Sequence, residues 1–451
     1  MHAAIDVAAP LEGRQTWSAD RIRALVEPDR VHRSVYTDPA LFELELERLW
    51  NRAWVYVGHE SQIRQPGDYF ATEIGRNPVL MSRHTDGSVR VMFNRCTHKG
   101  VMVARARAGR VKNFVCSYHG WVFGTDGALK GVPLADGYEG TPVRAGNPDF
   151  GLMPLPRVAS YRGFVFASLS ADGPSLTEFL GPAAVGIDDM VDRAPDGEVE
   201  VYGTCARTIQ HANWKFFFEN QLDGVHAGIT HRSSTEAARK VAASKYADPA
   251  QVPREVRMFM AQEPPEPKSV WVKLNSSNFR YGHGFLGGYQ EHRGDDPVTT
   301  EYEALVKRKL GEEEGERILA RSLHHTVIYP CLSIQSQFQQ LRVIKPLGVD
   351  RTLMEIWHFR LKGAPQAFQR RNMIIANMVN TPATIISCDD YENWYRAQTG
   401  LQARAQDWVS IHRDHGRDRV EGDVVHSRVG TSEAFQRNQY AAWAEYMARE
   451  A

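Results

Sequence analysis

The sequence has no surplus of charge. Lys plus Arg and Asp plus Glu number 54 each over 451 residues, so nothing in the balance argues for nucleic acid or an anionic membrane as a partner. Long apolar runs are also missing: no stretch supplies the roughly 20 apolar residues that a bilayer-spanning helix needs. The opening MHAAIDVAAPLEGRQTW lacks the basic-then-apolar order of a secretory signal, and a cytoplasmic location is expected. Cysteine is sparse and odd in number: Cys96, Cys116, Cys205, Cys331 and Cys388. So few thiols in so long a chain exclude a disulfide framework. Only Cys96 and Cys116 have histidines at ligand spacing; the other three read as small buried hydrophobes. A hydrophobic content of 42% with 24% charge is that of an ordinary globular protein, and the length predicts two domains.

What is present is concentrated in two stretches. Asn213 to His231 reads NWKFFFENQLDGVHAGITH, in which Asp223, His226 and His231 form D-x-x-H-x-x-x-x-H. On a helix Asp223 and His226 share a face. His231, five residues past His226, is turned away by about 140°. Both imidazoles reach one metal only if the helix loosens, and the spacing predicts a π-type widening at Gly228. Two imidazoles and a carboxylate suit ferrous iron with open positions for dioxygen and substrate, and they also suit zinc. An isolated H-x-x-x-x-H reads equally as a helix whose histidines are satisfied by hydrogen bonds.

The second stretch is Cys96-Thr97-His98-Lys99-Gly100 followed, with seventeen residues between His98 and Cys116, by Cys116-Ser117-Tyr118-His119-Gly120-Trp121. It lies among short β-rich runs (54 to 58, 68 to 74, 78 to 82, 89 to 94) cut by Gly, Pro and Asp-Gly turns, which predict a small antiparallel β domain ending near Ser168. Two thiolates suit an iron that stays oxidised and two imidazoles an iron that cycles, as in a [2Fe-2S] cluster with His₂ on one iron. The alternative is a Cys₂His₂ zinc site.

RCTHKG and CSYHGWVF resemble the signature of a Rieske centre. N-W-K-x-x-x-E-N-x-x-D-x-x-H-x-x-x-x-H resembles the mononuclear iron motif of aromatic-ring-hydroxylating oxygenase large (α) subunits. The resemblance continues through HHTVIYPCLSIQSQFQQLRVIKPLGVDRT to DDYENW, covering residues from about 40 to 400. It implies an α+β fold, with a small antiparallel Rieske domain (51–168) and a larger catalytic domain (169–451) of helix-grip type, its antiparallel sheet flanked by helices. An N-terminal helical segment (1–50) packs on the catalytic domain. Cys96, His98, Cys116 and His119 would hold the cluster. His226, His231 and Asp390 would hold the mononuclear iron, with Asp389 the alternative to Asp390, and Asn220 would support them. Asp223 would bridge His226 to the cluster ligand His119 of a neighbouring copy in a head-to-tail homotrimer, with or without a small β subunit.

The implied reaction is O2-dependent ring hydroxylation. This sequence carries no flavin or nicotinamide motif, so NAD(P)H contributes only indirectly, through a reductase or ferredoxin. By analogy the substrate is an aromatic carboxylate such as benzoate, salicylate, anthranilate or terephthalate. A monooxygenase or O-demethylase on the same scaffold and a non-catalytic Rieske electron carrier are the alternatives. The resemblance departs from respiratory Rieske proteins, because Val101 and Tyr118 stand where those have disulfide cysteines and Trp121 follows Gly120 where they have a serine. Fewer donors to the cluster sulfurs predict a lower potential.

Elsewhere, Asp38 and Pro39 predict a capped helix start, Asn213 an N-cap, and Trp214 with Phe216 to Phe218 a packed core. Residues 198 to 210 predict a strand. Residues 232 to 298, rich in Pro, Gly and polar residues, predict strands joined by active-site loops. There Arg232, Arg239, Lys240 and Lys245 are either a solvated basic run or partners for a substrate carboxylate. Residues 299 to 323 predict a helix, and TVIYPCLSIQ, QLRVIKPL and TLMEIWHFRLK three strands. His324 and His325, just before the first, are expected to be structural. A helix is expected from about Pro365 through Trp394, and a surface helix at the C-terminus that makes a subunit contact.

Overall fold

Past Trp54 the turn residues cut each apolar run short, and short runs can bury their faces only by stacking as small sheets. The computed structural model describes residues 17–260, 270–287, 296–382 and 384–449. It has a four-stranded antiparallel sheet in the order Val89–Phe93, Asn77–Arg83, Asp68–Ile74, Ala108–Arg110. A three-stranded sheet (Leu129–Gly131, Val122–Gly124, Asn113–Val115) lies beside it, and a third (Arg157–Tyr161, Phe164–Ser168, Val55–His59) joins the start of this region to its end. Tyr69, Leu80, Met92, Phe114, Trp121 and Phe123 form a separate core that includes Cys96 and Cys116.

The rest of the chain is built on a nine-stranded antiparallel sheet. Its order is Val199–Gln210, Arg351–Leu361, Gln340–Gly348, Leu332–Gln335, Leu323–Ile328, Gly284–Gly287, Asn275–Asn278, Val424–His426, Arg419–Glu421. TVIYPCLSIQ, expected as one strand, is a hairpin in which Thr326 pairs with Ile334. Its partner strands are buried on both faces rather than alternately, because helices cover the sheet. The two regions meet at Glu355, which accepts from Arg107 (2.5 Å) and Lys345 (3.2 Å), while Lys345 also donates to Thr72 (2.8 Å).

Asp38 caps the helix Pro39–Glu45 through Ala40 N (2.7 Å), and Asn213 caps Trp214–Gln221 through Lys215 N (3.1 Å). Other expectations change as well: Cys205 is only partly buried and Cys388 is exposed, so neither is a buried hydrophobe, and the helix expected over 299 to 323 is two, Pro297–Leu310 and Glu312–Leu319. Residues 232 to 260 are mainly helical, as Arg232–Lys245 and Arg254–Met260. RSSTEAARKVAASK is rich in good helix formers, and its polarity marks a solvated helix rather than a loop. QEPPEPK, the last three residues of GHGFLGGYQ and the first three of RGDDP lie outside the described residues. The helix expected from Pro365 to Trp394 is two, Gln366–Asn380 and Ile385–Gly400, since Pro382 cannot continue the first. The C-terminal helix Ala434–Met447 is no surface element: Phe435, Tyr440, Trp443 and Met447 are fully buried.

That burial has a polar centre. The buried Glu45 carboxylate accepts from Lys215 Nζ (2.5 Å), Trp214 Nε1 (2.8 Å) and Trp443 Nε1 (2.7 Å). It ties the N-terminal helix, the helix before the His226 segment and the C-terminal helix together. Burying a charge costs several kcal/mol unless it is paired, so these three segments are packed as a unit.

Candidate metal centres

The two cysteine loops have one backbone plan. Cys96 N donates to Val101 O and Cys116 N to Trp121 O, both at 2.8 Å, while Gly100 N and Gly120 N return to the carbonyls of Cys96 and Cys116. Each turn closes with a glycine at positive φ, +80° at Gly100 and +70° at Gly120, a conformation that costs other residues about 1–2 kcal/mol. A Cβ on Gly120 would lie 2.8 Å from Pro133 Cγ. The loops hold His98 and His119 with ring centroids 4.6 Å apart, and His98 stacks flat on Trp121. The thiols are buried and adjacent, so burial and the neighbouring Cys116 raise the Cys96 thiol.

A tetrahedral zinc would bring all four ligand atoms within about 4 Å of one another. Among the described residues, the single group of three or more His, Cys, Asp or Glu whose ligand atoms lie within 4.8 Å of one another is His226, His231 and Asp390. The loop residues do not converge on one point, which fits ligands divided between two irons.

In the other centre the helix does not widen at Gly228; the chain breaks on either side of His226. Trp214–Gln221 ends at Leu222, and a short helix, His226–Thr230, ends at His231, whose φ of −95° and ψ of 18° leave helical geometry before Arg232–Lys245 begins. Asp223 makes the first break: its Oδ1 accepts from Val225 N at 2.6 Å. Gly224 fits there because a Cβ would meet Gly430 O at 2.6 Å. With both breaks, the two imidazoles turn Nε2 toward Asp390 Oδ1, at 3.8 Å from His226 and 3.4 Å from His231.

Behind each ring stands another carboxylate. Asp223 Oδ2 is 3.6 Å from His226 Nδ1, and Asp389 Oδ2 is 3.5 Å from His231 Nδ1. Carboxylates on the Nδ1 side favour tautomers with the proton on Nδ1. Two Nε2 lone pairs and a carboxylate oxygen then face one point, an arrangement that repels itself unless a cation occupies the point. Burial pushes Asp390 up to about 6, against the pull of His226, and pushes His231 down to about 4, with His226 adding to the effect. Burial would raise Asp223 as well, but the His226 ring and the two backbone N–H groups hold it below the ordinary range. The donor set and these tautomers fit a ferrous ion.

Asn220 Nδ2 donates to Asp390 Oδ1 at 3.1 Å, and Gln221 Nε2 to Asn220 Oδ1 at 3.2 Å, with Ser333 Oγ on Gln221 at 3.1 Å. Gln221 and Ser333 were not apparent from the sequence, since no spacing ties a strand serine to this helix. The basic candidates Arg232, Arg239, Lys240 and Lys245 all lie on exposed positions, with Arg232 on Glu236 at 2.8 Å. His324 and His325 lie inside the strand Leu323–Ile328, with His325 Nδ1 accepting from Arg342.

Comparison with known proteins gives a consistent set. Residues 53–150 match the family described as the Rieske [2Fe-2S] domain, and residues 198–449 the ring hydroxylating alpha subunit (catalytic domain). Biphenyl dioxygenase subunit alpha of Paraburkholderia xenovorans is 32% identical over 420 residues, covering 87% of this chain and 85% of that protein. Toluate 1,2-dioxygenase subunit alpha of Pseudomonas putida is 32% identical over 409 residues, covering 88% and 86%. A crystal structure of naphthalene 1,2-dioxygenase bound to phenanthrene superposes with a TM-score of 0.80 at 25% identity, covering 96% of both chains. No helix among the described residues is long and apolar enough to cross a membrane.

Proposed function

We propose, from the premise that this chain belongs to the α subunits of Rieske ring-hydroxylating dioxygenases, that it hydroxylates an aromatic carboxylate in the cytoplasm as part of a head-to-tail homotrimer. The chain is an oxidoreductase of aromatic catabolism that carries a [2Fe-2S] Rieske cluster and a non-haem iron. It uses O2 and takes electrons from a separate reductase or ferredoxin. An aromatic carboxylate as substrate is supported by a toluate dioxygenase among the relatives, toluate being such a carboxylate.

We assign His226, His231 and Asp390 as the ligands of the mononuclear iron and Cys96, His98, Cys116 and His119 as those of the cluster. We take residues 51–168 as the Rieske unit and 169–451 as the catalytic unit, on which the described part of 1–50 packs. The observation that carries this reading is the convergence of two Nε2 atoms and Asp390 Oδ1 on one point. Bound there, ferrous iron supplies the reductive activation of dioxygen. Around it, Asp223 and Asp389 keep a proton on each Nδ1 and so keep each Nε2 lone pair free, while Asn220 orients the Asp390 carboxylate. Asp223, partly accessible, meets His119 of the neighbouring copy and passes electrons across the subunit contact. Exposed apolar side chains near the cluster loops, Val115 (55% exposed), Tyr118 (61%) and Leu134 (89%), favour such a contact, and Ile229 between the two iron histidines is 62% exposed. Exposed apolar patches of this kind mark association surfaces.

The test is a panel of aromatic carboxylates and their neutral counterparts, incubated with holoenzyme and a surrogate reductase under ¹⁸O₂. Product carrying both labelled atoms from a carboxylate, with oxygen uptake matched to product, is the expected result. One labelled atom would make the enzyme a monooxygenase, and turnover confined to neutral arenes would end the carboxylate reading. Sedimentation of the holoenzyme as anything other than a multiple of three chains would remove the trimer.

A further inference from the structure

Among the buried cations of this protein, one breaks the pattern of the rest. Lys215 sits on Glu45, Arg193 on Asp189 and Lys345 on Glu355, as the cost of stripping water from a charge requires. Arg342 is only 8% exposed, in a strand whose first seven residues are all buried. No carboxylate among the described residues pairs with it. Its Nη1 donates to Asn380 Oδ1 at 3.2 Å and its Nη2 to His325 Nδ1 at 3.0 Å, and the guanidinium lies 5.3 Å from the Phe217 ring centroid. A guanidinium has five N–H donors, so these two bonds leave three to offer.

The guanidinium is also held still. Asn380 Nδ2 donates to Gln335 Oε1 (2.9 Å) and Gln340 Oε1 (2.6 Å), which turns its carbonyl oxygen toward Arg342. Its setting borders the iron site: Phe217 is on the helix that ends just before Asp223, and Asn380 ends the helix preceding the one that bears Asp390. Arg342 feels the charge of Asp390, and His324 and His325 feel that of His226. A fixed, dehydrated cation can meet an apolar arene only through its ring face, a role Phe217 already fills, but its free donors match a carboxylate, which accepts two parallel N–H bonds.

We infer that Arg342, oriented by His325 and Asn380, binds the carboxylate of the substrate and holds its ring toward the iron site. This rests on the aromatic-carboxylate reading above. It assigns recognition to a residue of the sheet rather than to the basic helix 232–245.

The experiment measures equilibrium binding to holoenzyme by calorimetry, with iron and cluster content checked in every preparation. The ligands are benzoate, salicylate, anthranilate and terephthalate, each against its methyl ester. The proteins are wild type, Arg342→Met, Arg342→Lys and, as a control, Arg239→Met. Wild type should prefer the acids, and Arg342→Met should lower the acid-to-ester preference about 100-fold while ester binding stays within about threefold. Arg342→Lys should retain part of the preference, and Arg239→Met all of it. If wild type prefers acids and Arg342→Met keeps that preference, or weakens acid and ester equally, Arg342 is not the anchor and the carboxylate reading survives. If wild type prefers the esters, the carboxylate reading fails, and the anchor with it. Should Arg342→Met lose its metals, the lysine variant decides alone: an acid preference equal to wild type overturns the assignment, and a drop of about tenfold or more supports it.

Discussion

The two metal centres differ in how far along the chain their donors must travel. The cysteine loops place four candidate ligands within 24 positions, Cys96 to His119, and each loop is fixed by its own backbone bonds and a left-handed glycine. The proposed iron site joins His226 and His231 to Asp390, on a helix more than 150 positions away. Its geometry depends on two helix breaks and on packing among distant helices. The first centre is a local motif displayed at an apolar, exposed edge; the second is a tertiary construction in the interior. Damage near the first should therefore stay local, while damage to the supports of the second should spread.

The sharpest way to separate them is Asp390→Ala. Iron content should fall from about three to about two per chain with the Rieske spectrum intact, and turnover should fall at least 1,000-fold, as measured by oxygen uptake. In contrast, Asp389→Asn should keep the iron and weaken its affinity about 10–100-fold; loss of iron from Asp389→Asn and not from Asp390→Ala would exchange their roles. Next in size, Asp223→Asn should retain both metals and lower turnover about 100-fold, checked by single-turnover reoxidation of the reduced cluster. A wild-type rate would mean that electrons take another route.

The support of the buried site is exposed by Glu45→Ala, which leaves Lys215 as an unpaired buried charge and should cost about 3–5 kcal/mol in denaturant unfolding. Iron should be released at lower denaturant than the cluster, because the cluster loops have their own core. Coincident loss would mean that the two regions unfold together. The smallest effect should come from the loop glycines. Gly120→Ala combines the positive-φ penalty of about 1–2 kcal/mol with the Pro133 contact, whereas a Cβ on Gly100 finds its nearest neighbour, Arg95 Nε, at 3.5 Å. Cluster absorbance should therefore decay faster on heating in Gly120→Ala than in Gly100→Ala, and equal rates would remove the asymmetry between the loops.

Much of this architecture was readable from short-range pattern. The caps at Asp38 and Asn213, the β-rich runs after Trp54 and the paired cysteine loops each follow from neighbours within a few residues. Expectations failed where composition was ambiguous or contacts were distant. Polar 232–245 is a solvated helix, the stretch from Pro365 breaks at Pro382, and the C-terminal helix is buried because Trp443 reaches Glu45. The predicted π-type widening was the right problem with the wrong solution, since Asp223 and Gly224 end the helix outright. Arg342 carried a signal that went unused, a cation between Leu341 and Val343 in a largely apolar strand.

By itself the sequence determined the chemistry of the donors: which thiols, imidazoles and carboxylates exist, and which are close enough along the backbone for turns and helix geometry to present them together. Tertiary structure alone decided which carboxylate faces the histidines, which ones stand behind them, and which buried cation lacks a partner. The reason is covalent reach. A few residues of backbone constrain one another directly, but residues far apart in the chain meet only when sheets and helices pack, and that packing answers to the whole fold.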